Sequence, residues 1–140
     1  MDKSRLEKIS NVANCLVKTY KNRDPFYIAK KLGVICTMCE LTDDTPAFSA
    51  KETENDLGTI FINSKLSSYS RKILGAHELG HLFFHEEYRE IFFDPEINPK
   101  YEYEANYFAA KLMPQIVVNI DFSNFSVQEF NDYIANKVRF

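Results

Sequence analysis

The chain is short of cysteine, of positive charge and of long apolar runs, and each shortage excludes something. Its 140 residues include three cysteines, Cys15, Cys36 and Cys39. So odd and sparse a set is no disulfide framework of the kind that staples small secreted domains. Cys36-Thr37-Met38-Cys39 is a C-x-x-C, but no second copy completes a four-sulfur metal site. The surrounding Val34 to Leu41 reads as a strand, which sends Cys36 and Cys39 to opposite faces as packing residues. A net charge of −3 and a pI near 5.6 exclude a bulk basic field for nucleic acid. No stretch approaches the roughly 18 apolar residues of a membrane helix. The first residues, Met1-Asp2-Lys3-Ser4-Arg5, are charged and lack the apolar centre of a secretory signal. A soluble, cytoplasmic protein is expected, with no direct binding to nucleic acid or membrane. Internal repeats and low-complexity tracts are absent as well.

What is present suits a packed core. Hydrophobic residues make up 45% of the chain, and its length is that of one domain, residues 1–140, with a short helical tail from about residue 115. Leu6, Ile9, Ala13, Leu16, Val17 and Tyr20 recur at helical spacing, predicting an amphipathic helix over Lys3 to Lys21. Asp24-Pro25 reads as an N-cap followed by proline at the first helical position, and Gly33 as the stop. Phe48-Ser49-Ala50 and Thr59-Ile60-Phe61-Ile62 pair as a hairpin across an acidic loop. Ser67 or Ser68 caps a helix running to about His85, apolar on both sides and therefore central. Gly80 inside it suggests that another segment approaches closely. Glu86 to Lys100 reads as a loop. Tyr101 to Met113 is helical, with Ala105, Phe108, Ala109 and Leu112 on one stripe and Pro114 as terminator. Ser126-Val127-Gln128-Glu129 is a capping box that opens a last helix.

The chemistry concentrates in His77-Glu78-Leu79-Gly80-His81, an H-E-x-x-H string that uses two of the three histidines. On a helix, positions i and i+4 share a face about 6 Å apart. Two imidazoles so placed can converge on one zinc ion, with Glu78 beside them as the base toward a water. A catalytic zinc takes three protein ligands and leaves one position open. His85 is a poor third, because it lies about 12 Å from His77 along the same helix. It reads instead as a packing residue, a support or a polar wall. The downstream helix offers Glu102 and Glu104, two positions apart on either flank of the apolar stripe. Periodicity does not choose between them.

Ala76-His77-Glu78-Leu79-Gly80-His81, then Glu104-Ala105-Asn106, Phe108-Ala109-Ala110 and Leu112-Met113-Pro114, resemble the ImmA/IrrE family of zinc-dependent metallopeptidases. Asp24-Pro25-Phe26 before Gly33, and Ile60-Phe61-Ile62-Asn63 before the motif helix, are similar as well. The resemblance implies a zincin-like α+β fold. That fold is mostly helical, with a small antiparallel sheet beside the central H-E-x-x-H helix. It implies zinc as cofactor, His77, His81 and Glu104 as ligands with Glu102 as alternate, and Glu78 as the catalytic residue. It also implies a protein substrate, typically a helix-turn-helix repressor of a phage, a mobile element or a stress response. Rival readings are the toxin of a toxin–antitoxin pair, or a zinc-bearing interaction or sensor module that does not cut. Tyr88, Tyr101, Tyr103 and Tyr107 are candidates for an oxyanion donor. The run Thr59 to Asn63 is a candidate edge strand for an extended substrate.

Overall fold

The computed structural model describes residues 2–53, 55–85 and 98–139. Five helices and three strands follow in the order α1 (Lys3–Tyr20), α2 (Pro25–Leu32), β1 (Ile35–Cys39), β2 (Ala47–Ala50), β3 (Thr59–Asn63), α3 (Ser68–Phe84), α4 (Pro99–Leu112) and α5 (Val127–Ala135). The architecture is α+β, as expected. Most of the expected loop between α3 and α4, residues 86–97, lies outside the described residues.

Local chemistry sets the helix ends. The Asp24 carboxylate accepts from the Phe26 amide at 2.9 Å, and Pro25 occupies the first turn of α2. Gly33 stops that helix at φ 92°, where its N–H reaches the carbonyls of Ala29 and Lys30. Ser67 caps α3, and the capping box of Ser126 and Glu129 closes in both directions at the start of α5.

The sheet differs from expectation in two ways. Its order is β1-β3-β2, with β2 antiparallel and β1 parallel to β3, so it is mixed rather than antiparallel. The chain leaves β1, crosses to the far edge and returns by the hairpin into the middle. β3 therefore has both edges paired, and Thr59 to Asn63 cannot serve as an edge strand; among the described residues β1 and β2 are the edge strands. In the hairpin Phe48 lies opposite Phe61, with ring centroids 4.7 Å apart.

At the end of β3, buried Asn63 donates through Nδ2 toward the carbonyls of Leu41, Thr42 and Thr45 at 3.3, 3.0 and 3.2 Å. One side chain thus holds the loop before β2 in place. α3 is the hub: it touches α2, α4, β2 and β3. Ile73, Ala76 and Leu79 are at most 1% exposed and join Ile9, Ile28, Ile60, Phe108 and Phe130 in the core. Among the described residues no helix is long and apolar enough to cross a membrane.

Candidate metal centre

Residues His77 to His81 lie within α3, and one turn brings both imidazoles to the same face. Their Nε2 atoms are 3.1 Å apart. α4 supplies the third group, and it is Glu102. Its carboxylate reaches His77 Nε2 at 3.1 Å and His81 Nε2 at 2.9 Å. Glu104, implied by the resemblance, is not brought to the pair. Two positions along a helix is about 200°, so the two glutamates leave α4 in different directions.

Glu104 enters the site from behind. It is 1% exposed and accepts from His85 Nε2 at 2.7 Å and from Arg5 Nε at 3.1 Å. Burial works against its charge, but hydrogen bonds from His85 and Arg5 and the guanidinium charge outweigh burial and hold its pKa below the usual carboxylate range. Burial likewise lowers the pKa of His85. A neutral His85 has one ring proton, and the carboxylate takes it at Nε2. Its Nδ1 is then an acceptor, 2.9 Å from His81 Nδ1. His81 must donate there, which leaves its own Nε2 as a lone pair aimed at Glu102. His85 is thus a support to His81. Its ring also stacks on Tyr101, with centroids 4.4 Å apart.

Electron-pair donors 2.9–3.1 Å apart need a cation between them. Two imidazole nitrogens and a carboxylate, within 4.8 Å of one another, match the donor set of a three-ligand metal site. The residues fit a metal ion of this class. A proton answers the same demand. Burial disfavours a charged His77, but Glu102 and Glu78 outweigh it and raise its pKa to about 9. Burial would raise the pKa of Glu102; the neighbouring His77, by charge and hydrogen bond, instead holds it far below the carboxylate range.

The cluster lies in a cleft of about 940 Å³. α3 forms the floor with Ile73, Leu74, His77, Glu78 and His81. The loop into β2, Asp44 to Phe48, makes one wall, and α5 makes the other with Gln128, Asn131, Asp132 and Ile134. Glu78 is 7% exposed, with its carboxylate 3.9 Å from His77 Nε2. Of the candidate oxyanion donors, Tyr101, Tyr103 and Tyr107 do not line this cleft, and Tyr88 lies outside the described residues.

Sequence reasoning missed Arg5 and Asn131, and named Asn63 only as the end of a strand. Arg5 meets Glu104 across 99 positions of chain, and no local pattern signals that. Asn106 was visible only as part of the E-A-N run. The tail after Pro114 carried no functional signal at all, yet α5 walls the cleft.

Neither the curated proteins nor the solved structures yield a match to this chain. The family model described as the IrrE N-terminal-like domain matches residues 20–133, which span the cap of α2, the sheet, the α3 histidines, Glu102 and most of α5. The chain therefore belongs to the IrrE N-terminal-like family of metallopeptidases.

Proposed function

We propose that the protein is a zinc metallopeptidase that makes site-specific cuts in a regulatory protein, and that its substrate is a helix-turn-helix repressor in the cytoplasm. The observation that carries the reading is the convergence of His77, His81 and Glu102 on the floor of a cleft, with Glu78 beside them. These three would hold the ion. Bound there, zinc supplies Lewis acidity toward a water and a peptide carbonyl. Glu78 handles the proton, accepting it from the attacking water and delivering it to the leaving amine. Its low exposure keeps that proton from bulk solvent. β2 is an edge strand among the described residues and lines the cleft, a place where an extended backbone can add to the sheet and be oriented without demanding a particular sequence. A segment lying between β2 and α5 must be locally unfolded, which favours a linker or loop of the target. The choice of a repressor rests on the family resemblance.

The test is Glu78→Gln. This variant is expected to bind zinc like the unsubstituted protein and to lose cleavage by about 100-fold or more. The substrate to try first is a helix-turn-helix protein encoded beside this chain. If Glu78→Gln still performs the biological task, an interaction or toxin role replaces the peptidase reading.

A further inference from the structure

Three hydrogen bonds run in a line from the first turn of α4, across α5, to His77. Asn131 donates through Nδ2 to the Pro99 carbonyl at 3.1 Å. A carbonyl can only accept, so this contact decides which end of the Asn131 amide is which. Its Oδ1 is thereby turned to Asn106, whose Nδ2 donates to it at 2.8 Å. The Asn106 amide is fixed in turn, and its Oδ1 stands 2.7 Å from His77 Nδ1. Because that oxygen accepts, His77 carries a hydrogen on Nδ1, and Nε2 is the nitrogen left to bind a cation beside Glu102. A flipped Asn106 would present an N–H to Nδ1. The ring would then have to accept there and carry its proton on Nε2, inside the cluster. At 5% exposure Asn106 has little water to compensate such a flip. Everything in the line before His77 is an amide or a carbonyl, groups that do not titrate.

We propose that Asn131 is a positioning residue for the metal: acting through Asn106, it sets the His77 tautomer that points the Nε2 lone pair at the ion. The proposal rests on the metal-site reading above. It adds α5, an element without a ligand, to that site. Asn131 also lines the cleft, so the helix that walls the substrate space is the one that orients a ligand.

Four variants test this, each read by zinc affinity in competition with a chromogenic chelator. The visible spectrum of the cobalt(II)-loaded protein and the Tm of the metal-stripped protein accompany each. Asn131→Ala removes the acceptor for Asn106. It should weaken zinc binding about 10- to 100-fold and alter the cobalt bands. Asn131→Asp keeps that acceptor while setting a carboxylate oxygen against the Pro99 carbonyl. It should recover most of the zinc affinity although its metal-stripped Tm falls, a split that a merely structural role would not produce. The double variant Asn131→Ala with Gln128→Glu adds the same charge to α5 without the acceptor, and should remain weak. Native affinity in Asn131→Ala, failure of Asn131→Asp to recover it, or recovery by the double variant would each overturn the proposal. His77→Ala separates the two readings. If it binds zinc as the unsubstituted protein does, the metal site itself falls and the proposal with it. If it loses zinc while Asn131→Ala does not, only the role of Asn131 falls.

Discussion

Glu102 and Glu104 show how little separates a carboxylate that faces the paired histidines from one that stands behind them. Both are carboxylates on α4, both meet a histidine of the α3 end, and they stand two residues apart. What differs is the atom each one reaches. Glu102 faces lone pairs, whereas Glu104 faces the His85 hydrogen and the Arg5 guanidinium. Glu102→Ala is therefore expected to remove a ligand and abolish tight zinc binding. Glu104→Ala should leave all three ligands and weaken zinc about 10- to 100-fold, the usual range for a group behind a ligand. It should also lower stability, because Arg5 and His85 both lose a buried partner. Titrating each variant with zinc against a chelator checks the order. A larger zinc loss for Glu104→Ala than for Glu102→Ala would return the ligand role to Glu104.

At the scale of elements, the spacing between α3 and α4 carries the site. Gly80 makes that spacing: a β-carbon there would stand 3.2 Å from the Ala105 Cα and 3.2 Å from the Phe108 ring. Helix backbone cannot swing aside as a side-chain tip can. Gly80→Ala gains about 1 kcal/mol of helix propensity but incurs about 1–3 kcal/mol of overpacking. The helix it displaces is the one that bears Glu102. Zinc affinity and Tm are expected to fall together. Gly75→Ala is the contrast, since its new methyl meets the Phe26 ring at 2.8 Å, on a side chain that can rotate, and should leave zinc affinity unchanged. A Gly80→Ala protein with better stability and native zinc affinity would show that α4 is not held at this distance. The H-E-x-x-H helix, the α4 stripe and the caps at Asp24, Ser67 and Ser126 were all legible in the sequence, because capping and amphipathic spacing act within one or two turns. The parallel pairing of β1 with β3 was not, since it joins strands with β2 between them in the chain.

Across the whole molecule, both ends of the chain lead to the two histidines. Arg5 on α1 reaches His81 through Glu104 and His85, and Asn131 on α5 reaches His77 through Asn106. Binding an ion should therefore stabilise the fold as a unit, by mass action on the folded state. In a metal-stripped preparation the His77 pKa is raised to about 9 from an ordinary 6.5. A histidine raised on folding contributes stability that is complete below the unfolded pKa and is lost as pH climbs through the folded one. The metal-stripped protein should accordingly lose stability between about pH 6.5 and 9. Zinc must displace that proton, so its apparent affinity should rise about tenfold per pH unit up to about pH 9 and then level off. Thermal melts and zinc titrations from pH 6 upward test both; an affinity flat across that range would show His77 already neutral.

The sequence by itself determined what depends on near neighbours in the chain. That includes the helix carrying His77, Glu78 and His81, its burial on both sides, the caps, the hairpin and the family. Hydrogen-bonding and hydrophobic period act over a few residues, and those residues are written side by side. Only the tertiary structure decided which atom faces which. It put Glu102 rather than Glu104 before the histidines, set β3 between β1 and β2, and brought Arg5 and Asn131 in from the two ends. Those outcomes follow from the angle at which α4 crosses α3 and from where the sheet and α5 pack against them. Such packing sums contacts across the whole chain, so no local stretch of residues contains it.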